Sequence, residues 1–265
     1  MGKIYASADW HGNWAASKQA LDFLAEDDKL IYLGDCTDRG NYGIKLLKTL
    51  MADPRVTYIK GNHDELLEYA IEKELWDNDL KYIPHLPEYR IQEFDISHWI
   101  VVNGGYKTYE ALLKETKEEQ KRMLKYIQDM FLTITLTTKQ GYIILEHAGY
   151  TPGITSMQRH DPLWDRAHFS HEWVASEDTY IVHGHTPVQY LKYDIGYNGE
   201  EPLTKEEMLH RKHFLANKPT DYKPTILRYC HGHKFDLDMC TIYSDRVALL
   251  DLDTFEEYYF NGKDE

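Results

Sequence analysis

The sequence predicts a mixed α/β fold that combines a parallel β-α-β half with a mainly antiparallel half. Up to residue 78, short apolar runs alternate with helical patterns, and right-handed crossovers would make the three predicted strands parallel. From Phe131 onward, β-branched and aromatic runs are separated by turn signals, which is typical of hairpins. Several runs end in Asp, His or Asn, and loops at the carboxyl ends of strands bind ligands in open α/β sheets.

The first half is built from three strand-helix units. Asn13 is a favourable N-cap for the first helix, and Pro54 ends the second unit because proline does not continue a helix. The predicted order is strand 3–8, helix 13–26, strand 29–33, helix 41–50, strand 55–60 and helix 65–78.

The second half contains further strands and two segments outside the sheets. Residues 79–131 are expected to form a helical cap, to which we assign no chemistry. Residues 196–225 are rich in Gly, Pro and charged residues and are expected to be an insertion around a short helix at 205–214. No linker composition interrupts the chain, so residues 1–265 are expected to form one catalytic domain. The predicted strands are 132–137, 142–145, 179–182, 234–238, 247–251 and 257–260.

The composition is that of an acidic globular protein. Of the 265 residues, 42% are hydrophobic and 28% are charged, and the formal net charge is −14. This charge would repel a nucleic acid backbone, so nucleic acid is a disfavoured partner. Small phosphorylated ligands are not excluded, because bound divalent cations can reverse the sign of a pocket.

Cysteine usage and hydropathy favour a cytoplasmic protein. The three cysteines contain no C-x-x-C pair and do not make a disulfide framework, which fits a reducing compartment. The first residues lack the pattern of a signal peptide, and no apolar run approaches about 18 residues, so we expect no membrane partner.

The loops after the predicted strands supply a set of metal-ligand side chains. Two carboxylates, three imidazoles and one amide oxygen suit divalent ions such as manganese, iron or zinc. Six ligands are too many for one catalytic ion with open positions, but they fit two ions about 3.5–4 Å apart that share one carboxylate, naturally Asp35. Asp9 and His11 would point to one side if their segment were extended. The candidate ligands are Asp9, His11, Asp35, Asn62, His147 and His185.

Three further side chains indicate a hydrolytic chemistry. Two bridged ions lower the pKa of a shared water toward neutrality and stabilise both oxygens of an in-line displacement. Arg39, four residues after the proposed bridge, can hold a phosphoryl group in bidentate fashion. His63, with Asp38 as its partner, can protonate a leaving alkoxide. The set predicts a hydrolase of phosphate esters in which a metal-bridging hydroxide attacks phosphorus.

Five motifs follow one another along the chain: Asp9-x-His11-Gly12, Gly34-Asp35-x-x-Asp38-Arg39-Gly40, Gly61-Asn62-His63-Asp64, His147-Ala148-Gly149 and Gly184-His185-Thr186-Pro187. In this order they resemble the signatures of the calcineurin-like metallophosphoesterases, and within them the phosphoprotein phosphatases of the bacterial and bacteriophage lambda type. Trp164-Asp165-Arg166, and His98-Trp99 with Asn103-Gly104-Gly105, are similar to further motifs of that branch. The resemblance covers residues 3 to about 190 and implies a four-layer αββα sandwich of two mixed sheets flanked by helices.

The resemblance also implies roles for the site residues and for two divalent ions, with manganese preferred and iron, zinc, nickel or cobalt as alternatives. His63 with Asp38 would be the general acid, and Arg39, Arg166, Asn62 and His63 would contact the phosphate. One ion would be bound by Asp9, His11 and Asp35, and the other by Asp35, Asn62, His147 and His185.

Two features depart from the family pattern. The first signature has Ala8 where glycine is usual, which is a mild change at a strand end. The segment between Pro187 and the last strands is longer than in the lambda type, so residues 196–225 have no counterpart there.

The remaining histidines and one cysteine are given structural roles. A second His-Gly-His, residues 231–233, competes with residues 183–185, but the earlier copy follows a clean strand and precedes Thr-Pro. His183, His231 and His233 are therefore expected to be structural or rim residues, and Cys36 a buried thiol rather than a nucleophile. The histidines expected on the surface are His160, His168, His171, His210 and His213.

The prediction is a dinuclear metal-dependent phosphomonoesterase of the protein serine/threonine phosphatase type, acting on a phosphorylated protein or a small phosphoester. The alternative is a dinucleoside tetraphosphate hydrolase of the same superfamily, a branch that typically replaces the aspartate found here as Asp38. A silent binding module is disfavoured because every proposed ligand and phosphate residue is present. Oligomeric state and physiological substrate are left open.

Overall fold

The computed structural model describes residues 2–78, 81–82, 84–150, 161–170, 176–188 and 223–264. The strands in these ranges are β1 (Ile4–Ser7), β2 (Lys29–Tyr32), β3 (Val56–Tyr58), β4 (Thr133–Thr137), β5 (Tyr142–Glu146), β6 (Thr179–His183), β7 (Leu227–Tyr229), β8 (Lys234–Asp236), β9 (Arg246–Asp251) and β10 (Glu257–Asn261). The helices are α1 (Trp14–Phe23), α2 (Gly43–Ala52), α3 (Asn62–Asn78), α4 (Glu88–Glu93), α5 (Ile96–Val102), α6 (Tyr106–Leu112), α7 (Lys117–Gln128) and α8 (Thr241–Ser244), with a 3₁₀ turn at Ala167–Ser170.

The first sheet has the strand order β10-β9-β1-β2-β3. Strands β1, β2 and β3 are parallel, as predicted, with Ala6 opposite Ile31 and Ile31 opposite Thr57. Both faces of this sheet are covered: Tyr5 and Tyr32 belong to a core shared with α1, α2, α3 and α7, whereas Ala6 and Ile31 face the second sheet. This two-sided burial is the reason that the strands have continuous apolar sequences.

The second half of the chain is divided between the two sheets, so the prediction of a mainly antiparallel second sheet is wrong. Strands β9 and β10 extend the first sheet, where β9 runs antiparallel to β1. The second sheet has the order β4-β5-β6-β8-β7; its two central pairs are parallel and its two edge pairs are antiparallel. Turn signals identify the β4-β5 hairpin correctly, but they do not encode the long crossovers that make the other strands parallel.

The two sheets pack face to face through an apolar layer. Leu33 and Ile59 from the first sheet meet Leu145, Val182 and Phe235 from the second. Each of these side chains is at most 1% exposed, and full burial of one such side chain contributes about 1.5–3 kcal/mol. The fold is two mixed sheets flanked by helices, which confirms the predicted fold class. Because Leu33, Ile59 and Leu145 lie just before polar loops, this layer also fixes the positions of those loops.

The helical cap predicted for residues 79–131 contains α4 to α7. In α7, the Thr116 hydroxyl oxygen accepts the Glu119 N–H at the first turn, and the buried side chains Met123, Leu124 and Ile127 recur at helical spacing toward α3. Residues 79, 80 and 83 lie outside the described ranges. So does most of the predicted insertion at 196–225, including its helix at 205–214. Among the helices of the described part, none has the length and apolarity to span a bilayer.

Candidate active site

The carboxyl ends of five parallel strands meet at one edge of the sandwich and carry the six predicted ligands. All six are at most 7% exposed. Residues 176 positions apart are in contact, because the His185 backbone N–H donates to Asp9 Oδ2 at 3.0 Å. The structure thus brings the six side chains to one place: Asp9 and His11 follow β1, Asp35 follows β2, Asn62 opens α3 after β3, His147 follows β5, and His185 follows β6.

The loops that carry these side chains turn sharply through the left-handed region. Asp9, His11, Asp35 and His185 have φ values of 56°, 42°, 63° and 70°. The segment that carries Asp9 and His11 is therefore not extended, so that part of the expectation is wrong. The two side chains are nevertheless close. Such conformations cost about 1–2 kcal/mol for a residue with a Cβ, and they cluster at functional sites.

One group of potential ligand atoms surrounds His11. Its Nε2 atom lies 3.8 Å from Asp9 Oδ1 and 4.0 Å from Asp35 Oδ2. Two ligands bonded to one ion at about 2.1 Å can be at most about 4.2 Å apart, so these separations suit a shared ion. The His11 Nδ1–H donates to the Thr37 carbonyl oxygen at 2.9 Å, which directs Nε2 into the site.

A second group surrounds His147 on the other side of Asp35. His147 Nε2 lies 3.4 Å from Asp35 Oδ2 and 2.9 Å from Asn62 Oδ1, and Asn62 Oδ1 is also 2.9 Å from His185 Nδ1. The His147 Nδ1–H donates to the Leu33 carbonyl oxygen at 2.6 Å, the same orienting contact that His11 makes. Asp35 Oδ2 therefore faces both groups, as a bridging carboxylate must.

Unpartnered atoms in these groups fit bound cations. Asp9 Oδ1 and His185 Nε2 are fully buried and have no hydrogen-bond partner among the described residues. Leaving a buried polar atom unpartnered is costly, and a divalent ion in the first group would satisfy Asp9 Oδ1. Clusters of His11, Asp35 and His63, and of Asp35, His147 and His185, place their ligand atoms within 4.8 Å of one another. The donor set is therefore suited to binding metal.

The protonation states in the site also suit metal binding. Burial lowers the pKa values of His11 and His185 well below the usual range, so each imidazole keeps a free lone pair at neutral pH. Burial opposes ionisation of Asp35, but His147 and His63 outweigh it and hold the pKa of this carboxyl well below normal. His147 is the exception among the imidazoles, because Asp35 outweighs burial and raises its pKa. A bound cation would replace that proton as the partner of Asp35.

His63 is held beside these groups by a carboxylate from another loop. Its Nδ1 atom is 2.7 Å from Asp38 Oδ2, and Trp99 Nε1–H donates to the same oxygen at 2.7 Å. The Asp38 backbone N–H donates to the Thr108 hydroxyl at 2.9 Å. Trp99 and Thr108 lie in α5 and α6, so the cap that was given no chemistry positions the His63 partner. With Nδ1–H bonded to Asp38, the other nitrogen, Nε2, faces the site 4.0 Å from Asp35 Oδ2.

Replacing Trp99 by Phe should lower the turnover number of the predicted phosphoester hydrolysis roughly tenfold. Residues that orient site residues through hydrogen bonds typically contribute 10–100-fold to activity. The variant removes the Nε1–H donor to Asp38 and keeps most of the buried ring, which is 1% exposed. Metal content should not change, since Asp38 is not among the ligand groups. Steady-state kinetics with metal analysis tests this, and unchanged turnover would show that the indole contact does not position Asp38.

Of the four predicted phosphate contacts, the two arginines lie at the rim of the site. The exposed Arg39 has Nη1 2.9 Å from His11 Nε2 and Nη2 3.1 Å from His63 Nε2, so its guanidinium lies against the rings of His11 and His63. Arg166 Nε–H donates to the Thr186 hydroxyl at 3.0 Å, directly after His185. Arginine in these positions can bind an anionic ligand placed next to the predicted metal ligands.

Asp64 has a role that the sequence analysis did not assign. Its Oδ2 accepts the backbone N–H groups of Asp35 at 3.0 Å and Gly61 at 2.9 Å, and its Oδ1 accepts the Tyr58 hydroxyl at 3.1 Å. Burial raises the pKa of this carboxyl to about 6. Asp64 therefore joins the loops after β2 and β3. The motif Gly-Asn-His-Asp includes this aspartate, but an aspartate that only caps a helix gives the same sequence pattern, so the sequence could not reveal the link between the two loops.

The second His-Gly-His motif lies away from the ligands. His233 Nδ1 is 3.0 Å from the Thr179 carbonyl oxygen at the amino end of β6, whereas His185 follows the carboxyl end of that strand. His231 is exposed. His183 is buried, and its Nε2 is 2.7 Å from the Tyr229 hydroxyl.

Among the histidines predicted to lie on the surface, His168 is instead fully buried, so that prediction is wrong. Its ring packs against Phe169 and His183 on the outer face of the second sheet. Burial lowers its pKa well below the usual range. Residue type alone could not reveal this, because His183 and Tyr229, which are distant in sequence, lie against the ring. His160, His171, His210 and His213 lie outside the described residues.

Lys234 is buried beside His168 and should make the free energy of unfolding depend measurably on pH. It is 1% exposed, its Nζ donates to the His168 carbonyl oxygen at 2.7 Å, and burial lowers its pKa to about 8 from 10.5. Below pH 8 both folded and unfolded states hold this proton, and the cost of the buried charge is fully present. Between pH 8 and 10.5 the unfolded state binds more protons, so wild-type stability rises there.

The Lys234→Met variant lacks this titration. The free energy of unfolding of the variant minus that of wild type should therefore be more positive at pH 7 than at pH 9.5. Urea unfolding of both proteins at the two pH values measures the difference. An identical difference at both pH values would contradict the lowered pKa.

Solved structures of similar fold include phosphatases. A structure described as that of a candidate diadenosine tetraphosphatase has a TM-score of 0.55 and 14% identity, covering 100% of this chain and 95% of that chain. A protein-tyrosine phosphatase of a psychrophilic Shewanella species has a TM-score of 0.52 and 15% identity, covering 98% and 81%. A hypothetical protein of Pyrococcus horikoshii has a TM-score of 0.50 and 14% identity, covering 99% and 89%. At these identities the likeness shows the fold alone.

Sequence comparisons identify the family. A search of curated proteins finds no match. The family model for the calcineurin-like phosphoesterases, in contrast, matches residues 2–234, which include the described strand ends that carry the predicted ligands. The chain therefore belongs to the calcineurin-like phosphoesterase family, whose members are metal-dependent hydrolases.

Proposed function

We propose that this protein is a phosphatase of the protein serine/threonine type that hydrolyses phosphate monoesters with two divalent ions, preferably manganese. The observation that carries the proposal is the His63–Asp38 pair at 2.7 Å, which holds an imidazole beside Asp35 and Arg39. A monoester with an alkoxide leaving group needs both an activated water and a proton donor. The metal-ligand groups and this pair lie side by side and can meet both needs.

In this proposal the two ligand groups bind one ion each. When bound, the ions supply a water of near-neutral pKa and neutralise charge on the phosphoryl oxygens. Asp35 is the shared ligand, because its Oδ2 atom lies within 4.0 Å of imidazole nitrogens of His11 and His147 on opposite sides. The first ion would be held by Asp9, His11 and Asp35, and the second by Asp35, Asn62, His147 and His185.

The remaining residues orient the substrate and move a proton. Arg39 and Arg166 bind the phosphate from the rim, together with Asn62 and His63. The His63 Nδ1–H donates to Asp38 and fixes the ring, so the proton that reaches the leaving oxygen is carried on Nε2. Asp38 is therefore a positioning residue for the acid, and Trp99 in turn positions Asp38.

The contact between Asp38 and His63 also bears on the choice of substrate. The family branch that hydrolyses dinucleoside tetraphosphates typically replaces this aspartate, and the leaving group of its reaction is a nucleoside polyphosphate, whose phosphate oxygen does not need the same proton. In this chain the aspartate is present and bonded to the imidazole. This contact favours monoesters over diadenosine tetraphosphate, which we keep as the alternative substrate.

A substrate panel tests the proposal. Protein treated with chelator and reloaded with manganese is given p-nitrophenyl phosphate, a phosphoserine peptide, a phosphotyrosine peptide and diadenosine tetraphosphate. We expect turnover of the first two, with the phosphoserine peptide preferred over the phosphotyrosine peptide. Cleavage of diadenosine tetraphosphate alone would establish the alternative, and no cleavage of any substrate would leave only a binding role.

We also infer that residues 1–265 act as one catalytic domain, with the segment 196–225 as an insertion. The ligands support this inference, since Asp9, Asp35 and Asn62 come from the first sheet and His147 and His185 from the second. Neither sheet carries a complete ligand set. Denaturant unfolding should give one transition by fluorescence and by loss of activity, and two separate transitions would contradict a single domain.

A further inference from the structure

The loop that carries Asp38 and Arg39 is strained, and the helical cap holds it in place. These two adjacent residues have φ values of 65° and 63°, in the left-handed region that residues with a Cβ rarely adopt without support from surrounding contacts. The Asp38 N–H donates to the Thr108 hydroxyl at 2.9 Å. The Arg39 N–H donates to the Gly104 carbonyl oxygen at 2.8 Å. Both partners belong to the cap.

Gly104 lies directly against the Arg39 side chain. Its own φ is 79°, and a Cβ built on it would be 2.9 Å from Arg39 Cγ. Two carbon atoms prefer a separation of about 3.5–4.0 Å, so any larger residue would push this side chain away. The Arg39 guanidinium lies against the rings of His11 and His63. The absence of a side chain at position 104 therefore sets the direction in which Arg39 reaches the site.

Gly105 lies against a different side chain, the indole of Trp99. A Cβ built on Gly105 would be 2.6 Å from both Cδ2 and Nε1 of this ring. Trp99 is 1% exposed, so the ring could move only by disturbing its neighbours. Its Nε1–H donates to Asp38 Oδ2 at 2.7 Å, and the same oxygen is 2.7 Å from His63 Nδ1. Gly105 is therefore linked to His63 through the indole and Asp38.

We propose that the cap turn, residues 103–105, positions two parts of the active site independently of each other. Gly104 positions Arg39, which binds the phosphate. Gly105 positions Trp99, whose indole orients the aspartate–histidine pair that protonates the leaving group. The inference rests on the proposed function, because hydrolysis of a monoester with an alkoxide leaving group needs both parts. It predicts that two adjacent glycines, changed in the same way, will alter different steps of the reaction.

The Gly104→Ala variant should weaken phosphate binding. The added methyl group displaces Arg39, so calorimetric titration of the manganese-loaded protein should show about tenfold weaker binding of inorganic phosphate than in wild type. The values of kcat/KM for p-nitrophenyl phosphate and for the phosphoserine peptide should fall by the same factor, because both esters present the same phosphoryl group to Arg39.

The Gly105→Ala variant should instead distinguish between leaving groups, because its methyl group displaces the Trp99 indole and with it the donor to Asp38. We expect kcat for the phosphoserine peptide to fall about tenfold and kcat for p-nitrophenyl phosphate to fall less than about twofold, since nitrophenolate leaves without a proton. Inorganic phosphate should bind as in wild type. If Gly105 acts only through the indole, the double variant Trp99→Phe/Gly105→Ala should match Trp99→Phe alone.

Gly232→Ala is a matched control for Gly104→Ala. Gly232 also has a positive φ, 87°, and a Cβ built on it would be 2.9 Å from Arg228 Nε. The change therefore imposes a similar backbone strain and a similar contact with an arginine side chain, in the second His-Gly-His motif, away from the predicted ligands. Its phosphate affinity and both rates should equal those of wild type. All the variants should keep the manganese content of wild type.

Three results would overturn the proposal. Unchanged phosphate affinity in Gly104→Ala would show that the cap turn does not position Arg39. Equal slowing of both esters by Gly105→Ala would remove its link to proton transfer, and identical changes in the two variants would leave the turn with a general structural role. If wild type hydrolyses no monoester, the proposed function fails and the Gly105 assignment fails with it, whereas the phosphate titration still decides the Gly104 assignment.

Two further variants replace any that does not fold. Gly104→Asn is titrated in place of Gly104→Ala against the same expectations, because asparagine tolerates the left-handed region better. The double variant Trp99→Phe/Gly105→Ala replaces Gly105→Ala, since the smaller ring leaves room for the methyl group. A further loss of kcat relative to Trp99→Phe would contradict an action of Gly105 through the indole.

Discussion

Replacing Asp35 by Asn should abolish turnover and bound metal together, with activity falling by at least about a thousandfold. Asp35 Oδ2 lies 3.4–4.0 Å from imidazole nitrogens of His11, His63 and His147, so this carboxylate oxygen lies between both ligand groups. The amide keeps an oxygen that can accept the His63 backbone N–H, now received by Oδ1 at 2.9 Å. The loss should therefore come from the missing charge rather than from a collapsed loop.

Metal analysis after dialysis, together with p-nitrophenyl phosphate kinetics, measures this effect. Asp251→Asn is a matched control, since Asp251 is 1% exposed, is paired with Lys3 at 2.9 Å and lies opposite Tyr5 rather than at a strand end that carries ligands. The control should lose some stability but keep its metal and its activity. An Asp35→Asn protein that retained two ions would rule out Asp35 as their bridge.

Replacing His63 by Asn should slow the phosphoserine peptide far more than p-nitrophenyl phosphate. A serine alkoxide needs a proton as it leaves, whereas nitrophenolate does not, and a general acid contributes about 10²–10⁴-fold. We expect a loss of at least about a hundredfold for the peptide and less than about tenfold for the nitrophenyl ester. Metal content should be unchanged. The exposed His231, changed to Asn, should leave both rates at wild-type values.

This experiment also decides between two roles for His63. The ring lies with His11 and Asp35 in a cluster whose ligand atoms are close enough to hold an ion, so a ligand role is the competing interpretation. Its Nδ1 contact with Asp38 orients Nε2 toward the site in either role, so the experiment must distinguish whether Nε2 gives a proton or binds an ion. Loss of an ion from His63→Asn would establish the ligand role, and equal slowing of both substrates would contradict the acid role.

Local patterns were sufficient to predict the elements of the first half. Asn13 caps α1 as expected, since its side chain accepts the Ala16 N–H at 2.9 Å. The helix predicted over 41–50 begins at Gly43, without a side-chain cap. The third helix begins at Asn62 rather than Glu65, because the motif Gly-Asn-His-Asp is itself the first turn. Periodicity fixes the existence of a helix, whereas its first residue depends on contacts with other loops.

The second half shows the limit of the same patterns. The positions of most strands are correct, but β9 and β10 join the first sheet, and β7 was not predicted. Strand pairing between distant segments depends on which apolar faces can be buried together. The run 247–251 has the same appearance whether it pairs with β1 or with β6, so only the packed core decides between them.

The sequence by itself determined the fold class. The order of the motifs at the predicted strand ends also identified the side chains suited to binding metal and phosphate. The tertiary structure decided how those side chains meet, that Trp99 and Thr108 of the cap hold Asp38, that His168 is buried, and that Asp64 lies beside the site. The physical reason is that residue type and spacing are properties of the chain. Burial, hydrogen-bond partners and distances between charges exist only once segments far apart in sequence pack together.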